Sequence, residues 1–247
     1  MTMMGWLVAA GLVAQCKVLF MGDSVTDGGW GRSGGSMAPS EERDHWDKNH
    51  IYGHSYMMLC AAELEAAHPE LQYSMLNRGI SGDDVWKLTA RWKKDALDLQ
   101  PDVLSLLEGT NDVHYFLDSI AKRQIPLEQA RFDIEAWEHA YRALLDESRK
   151  VNPELRLLLC SPFVARAGWV GESPDVSLRE QIIAEMAERI RLMAEEYRAV
   201  YVDFYTLFGQ LTQGKEGASY WIWDGIHPTP AGHRKMADLW LKSFASE

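Results

Sequence analysis

Short runs of apolar residues alternate along the chain with longer stretches in which apolar residues recur every three or four positions. Short apolar runs are typical of strands buried on both faces, and the wider spacing is typical of helices that cover such strands. The alternation therefore predicts an α/β fold in which a parallel sheet lies between two layers of helices. The five predicted strands are residues 18–21, 73–76, 103–107, 155–160 and 199–202.

Apolar stripes predict the covering helices. Pro126 is expected in the first turn of the helix with the longest stripe. Ser177 and Glu180 form a capping-box pattern before another helix, and Thr229-Pro230 opens the last one. We expect a three-layer α/β/α domain with a flavodoxin-like, five-stranded parallel sheet. The stripes are Tyr56/Leu59/Cys60/Leu64, Val85/Leu88/Trp92/Ala96, Leu127/Ala130/Ile134/Trp137/Tyr141/Leu144, Ile182/Met186/Ile190/Met193 and Met236/Trp240/Phe244.

The length of 247 residues suits one large domain, which we assign to residues 17–247. Residues 1–16 form a separate apolar segment, and its core at residues 5–14 is about as long as the apolar part of a signal peptide. The segment is too short to span a bilayer, and no Lys or Arg precedes it. We expect a cytoplasmic protein without stable membrane insertion, and secretion is the alternative if residues 1–16 act as a signal.

The charge balance narrows the class of partner. The chain has 25 Lys and Arg against 36 Asp and Glu, a formal net charge of −11. Nucleic acid is therefore an unfavourable partner, because binding to phosphate backbones depends on basic residues. The three cysteines, Cys16, Cys60 and Cys160, follow no metal-ligand spacing and are interpreted as small buried apolar residues. The sequence does not indicate an oligomeric state.

Polar clusters stand at the positions where ligands bind in open α/β sheets, namely after the predicted strands and before the last helix. Each cluster alone also fits a helix cap or a turn. Together they supply the groups that a hydroxyl nucleophile requires: a base, a carboxylate that orients the base, and donors for an oxyanion. The clusters are Gly22-Asp23-Ser24, Asn77-Arg78-Gly79, Gly109-Thr110-Asn111-Asp112 and Asp224-Gly225-Ile226-His227.

These clusters, in this order, resemble the four sequence blocks of the SGNH or GDSL hydrolases. The resemblance extends from about residue 17 to the C-terminus, and Val25 stands where the GDSL name has Leu. It implies that Ser24 is the nucleophile, that His227 is the general base, and that Asp224 orients the imidazole. It also implies an oxyanion hole formed by the backbone N–H groups of Ser24 and Gly79 and the side-chain amide of Asn111. The implied mechanism uses no metal and no cofactor.

Other residues near the expected mouth of the site are candidates for the substrate pocket: Trp30, His114, Phe163, Trp221 and Trp223. Aromatic walls suit a sugar ring or an acyl chain equally well, and the same residues also fit a protein core. Trp46 and Trp169 belong to the same aromatic group. Glu108 is more polar than a buried strand end requires, and the sequence assigns it no role.

Two further patterns have simpler interpretations. Gly31-Arg32-Ser33-Gly34-Gly35 matches the nucleophile elbow G-x-S-x-G, but no strand precedes it, so Ser33 is not expected to be the nucleophile. His45, His50 and His54 lack a recognised metal-ligand spacing and fit a solvated loop better. They lie in the irregular segment 28–53. Because this segment has little apolar surface, we expect a mobile lid held by Trp30 and Trp46 that selects substrate.

The sequence therefore predicts a serine esterase that hydrolyses acetyl esters of a carbohydrate or another small substrate through an acyl-enzyme. A lipase-, lysophospholipase- or thioesterase-like hydrolase of longer acyl chains is the alternative within the enzyme class. Two alternatives come from other classes. One is an FMN-binding protein that uses the loop at residues 22–27, and the other is an inactive carbohydrate-binding relative.

Overall fold

The computed structural model describes residues 15–246. The apolar residues 5–14 lie outside the described residues, so both interpretations of that segment stay predictions. None of the helices within residues 15–246 is long and apolar enough to cross a bilayer. Cys60 and Cys160 are buried, whereas Cys16 is partly exposed, so the prediction of burial is wrong for Cys16.

Five parallel strands form one sheet in the order β2-β1-β3-β4-β5. This confirms the predicted α/β class and flavodoxin-like sheet. The register pairs Gly22 with Gly79 and with Leu107, and Leu107 with Cys160, so four strands end at one edge of the sheet. The strands are β1 (Lys17–Gly22), β2 (Ser74–Gly79), β3 (Val103–Leu107), β4 (Arg156–Cys160) and β5 (Val200–Val202).

Helices cover both faces of the sheet because alternate strand residues point to opposite sides. Leu19 and Met21 belong to one apolar core and Val18 and Phe20 to the other. The first core includes residues of α3, α4, α5 and α7, and the second includes residues of α2, α8 and α10. The helices are α1 (Ser24–Asp27), α2 (Tyr56–Ala67), α3 (Val85–Asp95), α4 (Thr110–Lys122), α5 (Ile134–Val151), α6 (Gly168–Glu172), α7 (Val176–Glu196), α8 (Phe204–Leu211), α9 (Ala218–Trp221) and α10 (Pro230–Phe244).

Two predicted helix starts are wrong. Residues 127–129 form a single 3₁₀ turn, and α5 begins at Ile134 because the Asp133 carboxylate accepts the backbone N–H of Ala136. Ser177 lies inside α7, and Arg166 binds both Ser177 and Glu180, which removes them from a capping box. The start of α10 is confirmed, since the Thr229 hydroxyl accepts the N–H of Gly232. Helices α4 and α8 were not predicted.

Candidate active site

Ser24 lies at the first position of α1, directly beyond the end of β1. The Asp23 carboxylate caps this helix by accepting the backbone N–H of Val25 at 2.9 Å. Gly22 is required by close packing, because a Cβ atom there would lie 2.5 Å from the carbonyl oxygen of Leu107 on β3. The strand-to-helix turn thus holds the Ser24 hydroxyl at the carboxyl edge of the sheet.

Ser24, His227 and Asp224 form a continuous chain of hydrogen bonds. The Ser24 Oγ lies 2.8 Å from His227 Nε2, and His227 Nδ1 lies 2.7 Å from Asp224 Oδ2. The other carboxylate oxygen, Asp224 Oδ1, accepts the backbone N–H groups of Ile226 and His227. Ser24 and the Asp224–His227 pair, about 200 residues apart in the sequence, therefore meet in the geometry that proton transfer from a serine hydroxyl requires.

The Asp224–His227 contact changes the pKa values of both partners. The hydrogen bond to Asp224 raises the pKa of His227 above its ordinary value, although partial burial of the ring acts in the opposite direction. Burial would raise the pKa of Asp224, but the hydrogen bonds from the His227 ring and from two backbone N–H groups lower it overall. The carboxylate therefore remains ionised beside an imidazole that binds a proton more tightly than a free one does.

Asn111 follows the end of β3 and lies on the first turn of α4. Its side-chain amide donates to the Asp83 carbonyl at 2.7 Å and lies 3.5 Å from Asp23 Oδ2. The Asn111 amide is thus placed between the nucleophile turn and the loop that follows β2. An amide in this position supplies N–H donors without a formal charge.

Gly79 does not have the free N–H group that the resemblance implied. Its N–H donates to Asn77 Oδ1 at 2.9 Å, and its carbonyl accepts the indole N–H of Trp30 at 2.7 Å. A Cβ atom on Gly79 would lie 2.4 Å from the backbone nitrogen of Asp27, so this glycine allows β2 to pack against α1. The prediction of Gly79 as an oxyanion donor is therefore wrong in this geometry. Gly82, three residues later and next to the Asp83 that Asn111 contacts, has a left-handed φ of 82°.

The segment 28–53 is held to the nucleophile helix by buried charged groups, and its role as a mobile lid that selects substrate stays a prediction. Both terminal guanidinium nitrogens of Arg43 donate to the Asp27 carboxylate, and both side chains are fully buried. Asp27 also accepts the backbone N–H and hydroxyl of Ser81. Trp30 is buried as predicted for an anchor, whereas Trp46 is 91% exposed and anchors nothing. The buried Arg43 side chain thus holds the segment in place, which the few apolar residues of the segment could not do.

The weaker sequence candidates have other partners. The Ser33 hydroxyl accepts a hydrogen bond from Arg43, which places it in the support of the segment. His45 contacts the Ser40 carbonyl and His50 contacts Asp47. Within residues 15–246, no three His, Cys, Asp or Glu side chains are grouped as they would be to hold a metal ion.

Three buried carboxyl groups lie beneath the site. Burial raises the pKa of Asp23 to about 6 and that of Asp112 to about 7, and it raises the pKa of Glu108 well above its ordinary value. Glu108 Oε1 accepts the N–H of Gly109, and Asp112 Oδ1 accepts the N–H of Val85. Glu108 therefore binds a proton more readily than a free glutamate does, which its position directly after a strand does not indicate.

The predicted pocket residues divide into core and surface. Trp30 and Phe163 are buried, and the Phe163 ring packs 4.3 Å from that of Phe208, so the prediction that these two line the pocket is wrong. Trp221 is half-buried and packs against Tyr220. Trp223 is 60% exposed, and its ring stacks on that of His227.

His114 is half-buried one turn beyond Asn111, with its ring 5.8 Å from the exposed ring of Trp169. Trp223 therefore leaves apolar ring surface accessible beside His227, and Trp169 leaves such surface accessible beside His114.

Residues 20–235 match the model of the GDSL-like lipase/acylhydrolase family. The chain is 28% identical to an acetylxylan esterase from Geobacillus stearothermophilus over 94% of each sequence. A solved structure described as a GDSL-like lipase from Parabacteroides merdae superposes with a TM-score of 0.77 at 31% identity, covering 94% of this chain and 97% of that one.

A catalytic mutant of the Geobacillus acetylxylan esterase superposes with a TM-score of 0.75 at 25% identity, covering 96% of this chain and 97% of that one. Catalytic mutants of that esterase replace a serine, an aspartate and a histidine. The aspartate and histidine are three positions apart, as are Asp224 and His227.

Proposed function

This chain belongs to the GDSL-like lipase/acylhydrolase family, and we propose that it removes acetyl groups from a carbohydrate with Ser24 as its nucleophile. It is a carboxylic ester hydrolase, as its similarity to esterases over nearly the whole chain indicates. The observation that carries the proposal is the Ser24–His227–Asp224 hydrogen-bonded chain, because it supplies a nucleophile, a base and an orienting carboxylate at one point.

The reaction proceeds in two half-reactions. His227 Nε2 takes the proton of the Ser24 hydroxyl as Oγ attacks the ester carbonyl carbon, and the carbonyl oxygen becomes an oxyanion. The tetrahedral intermediate collapses, the C–O bond to the sugar breaks, and His227 gives its proton to the departing alkoxide. Water then attacks the acetyl-enzyme with His227 as base again, which releases acetate and restores the Ser24 hydroxyl. Asp224 stays ionised and stabilises the imidazolium that forms in each half-reaction.

The oxyanion requires donors already in place when its charge develops. The Ser24 N–H is the first of α1, and the N–H at the first position of a helix has no acceptor within that helix. The Asn111 amide is held toward the same region by the Asp83 carbonyl. Because the Gly79 N–H is engaged by Asn77, we assign the remaining donor to the backbone N–H of Gly82 instead.

The substrate class follows from the exposed rings and the relatives. Trp223 lies beside His227, the residue that must reach the departing alcohol, so a sugar carrying the ester would pass over its ring. Flat aromatic surface stacks well on the apolar faces of sugar rings. Since the Geobacillus relative is an acetylxylan esterase, we propose acetylated xylan or its oligosaccharides as the substrate. The cytoplasmic location expected from the sequence stays a prediction.

The proposal is tested on one purified sample. Acetate release from acetylated xylo-oligosaccharides is measured beside hydrolysis of nitrophenyl acetate, butyrate and octanoate, and a fluorophosphonate probe reports covalent labelling of Ser24. Preference for acetyl esters, with labelling lost in Ser24→Ala, supports the proposal. Preference for the octanoate would favour a longer-chain acylhydrolase, and an unlabelled, inactive protein would favour a carbohydrate-binding relative.

A further inference from the structure

The segment 28–53 has an exposed tip, and the residues on both sides of this tip are bonded to the rest of the domain. On one side Trp30 is buried and bonded to the Gly79 carbonyl. On the other, Ser40 Oγ donates to Asp95 on α3 at 2.6 Å, and Arg43 is paired with Asp27. The residues between these anchors form a short surface loop, and Met37 within it is 69% exposed.

Met37 lies on Gly82. A Cβ atom on Gly82 would be 2.8 Å from Met37 Sδ and 3.2 Å from the Tyr115 hydroxyl. The Gly82 carbonyl accepts hydrogen bonds from Tyr115 Oη at 2.7 Å and from Lys87 Nζ at 2.6 Å. Gly82 is thus held from one side by Tyr115 and Lys87 while the thioether of Met37 lies against it. The adjacent Asp83 carbonyl is the acceptor of the Asn111 amide, which connects this contact to the site.

The sheet order places the loop that carries Gly82, against which Met37 lies, and the loop that carries His227 on different sides of Ser24. Ser24 follows β1, which lies between β2 and β3, and the loop that carries Gly82 follows the edge strand β2. The Asp224–His227 loop instead packs on the segment after β4, where the Ala165 N–H donates to the Gly225 carbonyl at 2.9 Å. The departing alcohol must lie on the His227 side to receive its proton, so the acyl group extends toward the β2 side.

We propose that Met37 forms the end wall of the acyl site and restricts the enzyme to short acyl groups. The inference rests on the proposed function, because it assigns the acyl side of that same reaction. An unbranched thioether suits this role, since it fills an irregular gap and presents apolar surface to the methyl group of an acetyl ester. A longer acyl chain would have to displace Met37 from Gly82.

The test compares chain-length preference in Met37→Ala, Met37→Leu and the control Met58→Ala, which makes the same truncation at a partly exposed methionine of α2. We measure kcat/KM for nitrophenyl acetate, butyrate and hexanoate, and acetate release from acetylated xylo-oligosaccharides. Met37→Ala should raise the butyrate-to-acetate ratio by about tenfold or more, because a hydrophobic pocket discriminates by roughly this factor per methylene. Met37→Leu should keep the wild-type ratio, since it conserves volume, and Met58→Ala should not change it.

An unchanged ratio in Met37→Ala would overturn the inference. The inference would also be overturned if Met37→Ala changed only the rate on acetylated xylo-oligosaccharides relative to nitrophenyl acetate. Met37 would then contact the alcohol part of the substrate. A wild-type enzyme that hydrolyses none of the acetate esters would refute the proposed function itself, whatever the variants do.

Discussion

Asp27, three residues after Ser24, forms a two-point ion pair with Arg43 in which neither side chain is exposed to solvent. Asp27 also receives two hydrogen bonds from Ser81, and Arg43 binds the backbone carbonyls of Trp30, Ser36 and Ala38. The pair therefore joins the segment 28–53, the nucleophile helix and the loop after β2. It supports the site without contacting the Ser24–His227–Asp224 chain.

Removing one partner of this pair should destabilise the protein strongly. Arg43→Met leaves the Asp27 carboxylate buried without its counter-charge, and we expect the free energy of unfolding to fall by about 3–5 kcal/mol. Urea denaturation followed by circular dichroism measures the change. Arg32→Met is the matched control, because the Arg32–Asp47 pair has a largely exposed guanidinium and exposed pairs contribute little to the free energy of unfolding. Equal effects of the two substitutions would contradict a supporting role for Arg43.

The same pair shows why the sequence predicted the sheet better than the segment 28–53. Apolar runs such as residues 103–107 must be buried, so their pattern alone predicts β3. A single Arg among Glu41, Glu42 and Asp44 gives no sign that it is buried, because its burial depends on Asp27, sixteen residues earlier. A deletion within the segment 28–53 that tests whether it acts as a lid would also remove Arg43. Its effect on activity would then combine a change in substrate selection with a loss of support for Ser24.

Ser24→Ala and His227→Ala should each abolish nearly all esterase activity. The hydroxyl is a poor nucleophile without its base, so the double variant should be little worse than either single one. Steady-state hydrolysis of nitrophenyl acetate measures kcat for all three variants. Ser33→Ala is the control and should remain close to wild type, since its hydroxyl binds Arg43 instead of His227. If the activity losses of the two single variants multiplied in the double variant, Ser24 and His227 would not act as a unit.

Asn111→Ala should lower turnover far more than it lowers substrate affinity. Loss of one side-chain oxyanion donor costs on the order of 10²–10³ in kcat. Asn111→Asp should be no better, because it places a carboxylate close to a developing negative charge and to the buried Asp23. Steady-state kinetics on acetyl esters separates kcat from KM. A change in KM alone would make Asn111 a substrate-binding residue.

Much of the candidate site was predictable because its chemistry is local in sequence. Ser24, Asn111, Asp224 and His227 occur in short polar blocks, and the fold brings these blocks to one edge of the sheet. The donor at Gly79 was predicted wrongly because its N–H is taken up by Asn77, a side-chain contact that no spacing indicates. Trp30 and Phe163 were misassigned because an aromatic residue after a strand fits a core and a pocket equally well.

The pH dependence of activity should follow the ionisation of His227. The base must be neutral to accept the Ser24 proton, and its hydrogen bond to Asp224 raises its pKa above the ordinary value of about 6.5. Log kcat/KM for nitrophenyl acetate should therefore rise with pH, bend above about 6.5 and then level off. A flat profile across this range would contradict His227 as the base.

Asp224→Asn separates His227 from the other groups that titrate near neutral pH, Asp23 with a pKa of about 6 and Asp112 with a pKa of about 7. The variant loses the carboxylate that raises the pKa of His227, so the bend should move to lower pH while the plateau falls by a factor on the order of 10⁴.

The contribution of His227 to the free energy of unfolding should fall as pH rises, whereas the esterase activity should rise. A group whose pKa is raised in the folded state stabilises it fully below the unfolded value of about 6.5, and this stabilisation is lost as pH rises through the folded value. His227→Ala should therefore be less stable than wild type at about pH 5.5 by a larger margin than at about pH 8.5, as measured by urea denaturation at the two pH values. A margin that grows with pH would mean that folding lowers the pKa of His227, against the direction set by its contact with Asp224.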